Sequence, residues 1–190
     1  MSLPLSLALL EFSSVAAGVS AVDRMLKRSP VALLRCGTVH PGRYLALVGG
    51  TVAAAAEAHA EGRAAGAAAL VDDVCLADPH PALAAAVAGV RVPPSGEAVG
   101  VIELASSPAM LRALDAALKA VPVTLVEIRL ADDLGGRAVA VLSGELADVE
   151  QALELAAERA GSPAAVLGRS LMARVDDTLR RALGEGTRFA

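Results

Sequence analysis

Aromatic residues are nearly missing from this chain: it has no Trp, one Tyr and two Phe, 2% of 190 residues. A core must therefore be assembled from Ala, Val and Leu, which bury little area each but let helices sit close to a sheet. Small units built this way gain from association, because their surface is large relative to what they bury. Cysteine is scarce as well. Cys36 and Cys75 lie far apart with no secretory context, so reduced thiols in the cytoplasm are expected, not a disulfide framework. Positive charge is not in excess: the net charge is −4, and with so few stacking aromatics nucleic acid is an unsuitable partner. Long apolar runs are absent too. The longest, about residues 44–56, falls short of the ~20 needed to cross a bilayer and is broken by Gly49-Gly50. The first residues carry no basic leader and Glu11 interrupts their apolar stretch, which argues against a signal peptide. The mean hydropathy of +0.55 is thus expected to reflect subunit contact, with no membrane partner.

What the chain does contain is one stretch written twice. Residues 10–41 align with residues 102–133 at a shift of 92, the difference between Glu103 and Glu11. Ser14/Ser106, Ala21/Ala113, Asp23/Asp115, Leu26/Leu118, Lys27/Lys119, Pro30/Pro122 and Leu33/Leu125 match at that shift. A two-residue insertion then makes the shift 94, pairing Gly42-Arg43 with Gly136-Arg137 and Gly50 with Gly144. A repeat of about ninety residues is too long for a solenoid and suits a duplicated small domain. Domains over residues 1–90 and 97–190 are expected, with a linker at 91–96 marked by Pro93-Pro94 and Gly96.

Each copy reads as strand, helix, strand, strand, helix, strand and a short closing helix. In the first copy the strands are Leu5–Phe12, Val31–Thr38, Arg43–Gly49 and Ala69–Leu76. Ser13 or Ser14 caps a helix reaching about Arg28, and an Ala-rich helix runs from about Thr51 to Ala65. In the second copy Ser107 is expected as the cap, with Pro108 in the first turn. This order predicts an α+β fold of two tandem ferredoxin-like domains, each a four-stranded antiparallel sheet with helices on one face. Many unrelated functions use that architecture, so the order alone assigns none.

Particular residues carry a resemblance. A strand ending in Ile-Glu or Leu-Glu is followed by a helix bearing Asp-x-x-Leu-Lys, at Asp23–Lys27 and Asp115–Lys119, and then by Pro-Val-x-Leu. The third strand runs into Gly-Gly-Thr-Val at 49–52 and Ser-Gly-Glu-Leu at 143–146, and LADPHP occupies 76–81. In this order and duplicated, these segments resemble the bacterial microcompartment shell domain, in its tandem, non-permuted form.

The resemblance implies homotrimers whose six domains mimic a hexamer: flat tiles with a central pore, set in a shell beside other hexameric and pentameric shell proteins. Small metabolites would pass through the pore. Its lining would be Thr38, Val39, His40, Pro41 and Gly42 from copy one, and Ala131, Asp132, Asp133, Leu134, Gly135 and Gly136 from copy two. If Asp132-Asp133 faces the pore, its potential disfavours anions; otherwise the pair is a solvated turn. In a tandem member of the family, a Cys at the His40 position holds a central iron–sulfur cluster. Cluster ligands are usually Cys, so no cofactor is expected here. The alternative is a divalent metal held by three His40 imidazoles on the axis. Cys36 lies four residues earlier, ~13 Å along a strand, and is expected to be a buried strand thiol. Cys75 is expected in the core, and His59, between Glu57 and Glu61, as a solvated or interface residue. Lys27 and Lys119 match the lysine by which such tiles meet at their edges, and Arg174 matches a companion edge arginine. Asp78 stands at that place in copy one, so the two edge types would meet different neighbours.

No nucleophile–His–Asp set, metal-spaced cluster or phosphate-binding glycine loop is present, which argues against an enzyme. Asp72-Asp73 and Asp176-Asp177 read as solvated turns. A ferredoxin-like small-molecule sensor shares the predicted fold but has no need of lysines repeated at Lys27 and Lys119.

Overall fold

A computed structural model describes residues 6–131 and 133–188. The first repeat forms β1 (Ser6–Phe12), α1 (Val15–Arg28), β2 (Ala32–Val39), β3 (Arg43–Gly50), α2 (Val52–Gly66), β4 (Leu70–Ala77) and α3 (Pro81–Val87). The second forms β5 (Ala98–Leu104), α4 (Ser107–Ala120), β6 (Thr124–Leu130), β7 (Ala138–Gly144), α5 (Leu146–Arg159), β8 (Val166–Met172) and α6 (Asp177–Glu185). The two sheets run β2-β3-β1-β4 and β6-β7-β5-β8, antiparallel throughout. This is the ferredoxin-like arrangement, twice.

The repeat holds at the level of register. Ser6 pairs with Gly50 and Ala98 with Gly144. The β2–β3 ladder slips between Leu33 and Arg35, and the β6–β7 ladder between Leu125 and Glu127, the same place in each copy. Such bulges re-aim the strand that carries them.

Helix starts follow local chemistry. Ser14 Oγ accepts the Ala17 N–H at 3.3 Å and Thr51 Oγ1 the Ala54 N–H at 3.3 Å, each capping its helix. The cap of α4 is Ser106, whose Oγ accepts the Ala109 N–H at 3.2 Å, so the expectation of Ser107 is one residue late. With Pro108 inside the helix, the hydroxyl three residues before Ala109 is the one in reach.

The chain packs as two compact units. The first, ending at Pro79, also takes in Ser106–Ala109 and the loop 131–136, while the second holds the remainder. These units cut across the repeat: α3 belongs with the second, against β6. In the first unit, alternate residues Ala8, Leu10, Phe12, Tyr44, Ala46 and Val48 point to one face of the sheet and meet Ala21, Val22, Met25 and Ala58 of α1 and α2. Gly62 and Gly66 bring α2 down onto this face. A Cβ on Gly66 would lie 2.2 Å from Phe12 Cε1, and one on Gly62 2.6 Å from Met25 Sδ. In the second unit, Val99, Val126, Val141 and Val175 form a cluster joined by Leu183 of α6. Arg91 binds the buried Glu127 at 2.5 Å, and Thr187 N–H donates to the other Glu127 oxygen at 2.9 Å, so the segment after α6 is tied to β6.

Candidate functional site

The loop between β2 and β3 is tight. Gly42 N–H closes on the Val39 carbonyl at 3.0 Å, and Gly42 takes φ 82°. Thr38, His40, Pro41 and Gly42 are exposed and Val39 is half-buried. The equivalent loop between β6 and β7, which carries the two-residue insertion of the repeat, is longer and more contorted. Ala131 and Asp133 both hold φ 59°, a left-handed conformation that costs an L residue and is seen mostly where surroundings impose it. Leu134 N–H closes on the Ala131 carbonyl at 3.3 Å. Ala131 and Gly136 are buried, Leu134 half-buried, and Asp133 and Gly135 exposed. Asp132 lies outside the described residues.

Gly136 matches Gly42 in φ, at 82°, and also in need. A Cβ on it would sit 3.1 Å from the Arg43 guanidinium carbon. The structure therefore brings the 131–136 loop, within the first unit, to the residue that directly follows the 38–42 loop. Arg43 also forms an ion pair with Glu11, whose side chain is fully buried in β1. The second Glu11 oxygen accepts the Ser107 N–H at 3.1 Å. Beside them Ser106 Oγ donates to Asp72. Burial drives the Glu11 carboxyl upward from its ordinary range, and the bonds from Arg43 and Ser107 only partly offset this.

This carboxylate–guanidinium centre was not among the residues singled out from the sequence, although both members recur there. Glu11 matches Glu103, and Arg43 matches Arg137, at the same register: Glu11 pairs with Leu45 and Glu103 with Val139, two residues past each arginine.

Other expectations fare unevenly. Cys36 is exposed, not buried, because β2 is the outer strand of its sheet and most of its side chains are uncovered in the single chain. A hydrogen bond with the Cys36 thiol, helped by burial, pushes the Tyr44 phenol up to about 12. Cys75 packs against the core, and burial pushes its thiol up. His59 is neither solvated nor free: its Nε2 lies 2.6 Å from Asp73 Oδ2, and Arg63 approaches the other oxygen at 3.3 Å. Asp72 and Asp73 lie within β4 instead of a turn, with Asp73 facing these two bases of α2. Asp176 caps α6 by accepting from the Thr178 and Leu179 N–H groups, which hold its carboxyl low.

At the candidate edges, Lys27 binds Asp23 at 2.7 Å and Lys119 binds Asp115 at 2.6 Å, each one helical turn apart. Lys27 is far more exposed, at 75% of its side chain against 42% for Lys119. Asp115 also accepts the His80 N–H at 2.8 Å. Arg174 and Asp78 are both exposed. Among the described residues, no cluster of three or more His, Cys, Asp or Glu is placed to hold a metal ion within one chain, and no helix is long and apolar enough to cross a membrane.

Comparison with known proteins locates this geometry. The BMC domain family matches residues 6–79 and again 98–175. The bacterial microcompartment shell protein PduT of Citrobacter freundii is 35% identical over 181 residues, covering 95% of this chain and 98% of that one. Among solved structures, a microcompartments protein from Desulfitobacterium hafniense DCB superposes with a TM-score of 0.80 at 32% identity, over 93% of this chain and 98% of its own. A fused permuted hexameric shell protein from the RMM microcompartment shares the fold, with a TM-score of 0.60 at 23% identity over 82% of this chain and 83% of its own. The role these relatives indicate is structural, not enzymatic. With both halves matched in turn and a shell-protein relative aligned along nearly its whole length, the chain belongs to the BMC-domain family of bacterial microcompartment shell proteins.

Proposed function

We propose that three copies of the chain close into a ring of six BMC domains, repeats at 1–90 and 97–190 joined through 91–96, forming a flat shell tile with an opening at its centre. The observation that carries this reading is the meeting of Gly136 with Arg43, which draws the inter-strand loops of both repeats together within one unit. Loops that share a unit can share an axis, and Gly42 and Gly136 leave backbone close to it without side chains in the way. The opening, lined by 38–42 and 131–136, would pass small metabolites. Arg137, exposed directly after Gly136, offsets the carboxylates of that loop, so the rim carries both signs. Sedimentation of the purified chain is expected to give a trimer, and negative-stain images a ring with a central hole. A monomer, or a ring whose two loops face its periphery, would overturn the reading.

In a shell, tiles of this kind lie edge to edge with copies of themselves and with other shell proteins. Lys27 and Lys119, held along their helices by Asp23 and Asp115, are the proposed edge contacts, with Arg174 contributing at the other end. Their stems cover apolar surface while the ammonium donates to carbonyls across the edge. The double variant Lys27→Ala/Lys119→Ala is expected to remain trimeric and to lose the extended sheets that the unmodified tile forms, as seen by electron microscopy. Sheets that persist would remove these lysines from the edge.

His40, exposed at the turn of its loop, favours a second property for the same opening: three imidazoles on one axis, able to hold a divalent ion with one coordination position open. Zinc titration of the trimer by calorimetry is expected to give one ion per three chains, abolished in His40→Ala. Binding that survives this substitution, or no binding at all, refutes the ion site.

A further inference from the structure

The two repeats treat one place in the fold in opposite ways. In the first, the outer strand β4 offers Asp73 to the helix above it, and α2 supplies two bases. His59 Nε2 lies 2.6 Å from one Asp73 oxygen and Arg63 Nε 3.3 Å from the other. In the second, register puts Arg169 of β8 at the Asp73 position, since Asp73 pairs with Leu10 and Arg169 with Ile102. The helix now carries the acids. Glu150 and Glu154 stand one turn apart on α5, and Leu153, which falls on His59 at the shift of 94, shares their side of the helix, buried. No pairing follows this exchange of sign. Among the described residues, Glu150, Glu154 and Arg169 have neither an ion-pair nor a hydrogen-bond partner. Together with Leu153 and Leu171 they line a cavity of about 130 Å³ that opens to solvent. Its origin is local. Gly100 lets α5 settle onto β5, where a Cβ would meet Val149 at 2.7 Å and Leu153 at 2.9 Å. Seated there, the helix leaves a gap beside the edge strand β8, from which Arg169 and Leu171 rise on the same face.

We propose that this cleft between α5 and β8 binds a small aliphatic zwitterion, an α-amino acid in chemical class. Arg169 presents a planar set of donors that takes a carboxylate bidentately. The two glutamates accept from an ammonium group and repel a molecule that is only an anion. Arg169 in turn repels one that is only a cation. Leu153 and Leu171 leave apolar surface between the charges, which a short hydrocarbon side chain covers. The volume sets the upper bound on size: it lies well below the roughly 300–1,000 Å³ of pockets that take drug-sized ligands, so a molecule of a few heavy atoms fits. In the first repeat the chain's own side chains supply the counter-charges at this place, and in the second a ligand supplies them. The site lies within one repeat and does not depend on the closing of a ring.

Methyl-labelled NMR of the full chain titrated with L-valine tests this, with isovalerate and isobutylamine as probes that carry one charge each. L-valine is expected to shift the Leu153 and Leu171 methyl signals saturably, and the two single-charge probes to bind at least tenfold more weakly. Arg169→Gln and Glu154→Gln are each expected to weaken L-valine at least tenfold, whereas Glu57→Gln, at an exposed carboxylate on α2, leaves its affinity unchanged. Arg169 and Glu154 are exposed, so both variants should keep the circular dichroism of the unmodified chain. Three results would each overturn the site: no saturable shift with L-valine, a single-charge probe that matches it, or an affinity that either substitution leaves in place. All three leave the trimeric tile standing.

Discussion

Phe12→Ala is expected to lower the stability of the first unit by about 3–5 kcal/mol, read from chemical unfolding followed by circular dichroism at fixed protein concentration. Phe12 is one of only two Phe in the chain and is wholly buried at the end of β1, where α2 passes so close that Gly66 tolerates no side chain beside the ring. Removing the ring leaves a cavity that a glycine cannot fill. The second repeat suggests a more searching test. At the positions of Phe12 and Gly66 it has Leu104 and Ala160, both buried. One copy thus pairs a large residue with none, and the other a medium residue with a small one. Gly66→Ala alone forces its methyl into the Phe12 ring and is expected to cost about 1–3 kcal/mol. Combined with Phe12→Leu, which clears that space, most of the loss should return, giving a coupling energy of opposite sign to the single effects. Strict additivity would mean that the two sites do not share the space the geometry assigns them. The same exchange recurs at Gly18 and Tyr44, where a Cβ on the glycine would lie 2.6 Å from the ring and where the second copy has Met110 and Ala138. A core poor in aromatics is kept dense by trading volume across the helix–sheet seam.

Much of this was legible before any coordinates. Element order follows from the repeat, because a pattern read twice cancels the ambiguity of reading it once; the bulges at Leu33–Arg35 and Leu125–Glu127 then recur where the alignment puts them. What was not legible depends on which strand is outermost and on which helix lies over which strand. Cys36 lies in a strand and as a thiol reads as a buried residue, but β2 borders only β3, and in one chain its outer surface is bare. His59 and Asp73 lie fourteen residues apart on a helix and a strand, a separation with no periodic signature. Glu11 is the most instructive omission. It opened the repeat alignment, yet a carboxylate at the end of an apolar strand reads as a boundary until Arg43, 32 residues later, is folded against it. The signal was available: a Glu and an Arg both preserved at equivalent positions in two copies that otherwise trade residues freely.

Glu11→Ala is expected to be the most damaging single change outside the apolar core, at about 3–5 kcal/mol, because it leaves the buried Ser107 N–H without its acceptor and the part-buried Arg43 guanidinium without its carboxylate. Glu11→Gln separates charge from hydrogen bonding, since the amide oxygen can still accept, and a smaller loss is expected. The two species then diverge with pH. Burial raises the Glu11 carboxyl above its ordinary 4.5, so the folded chain holds that proton more tightly than the unfolded chain does. The corresponding stability is fully present below the unfolded value and is lost as pH rises through the folded value. Relative to Glu11→Gln, whose amide does not titrate, the unmodified chain should therefore gain stability as pH falls from neutral toward 4.5. Unfolding free energies of both at the two ends of that window decide it. A difference between them that stays constant would mean that the Arg43 ion pair outweighs burial, and that Glu11 remains charged throughout.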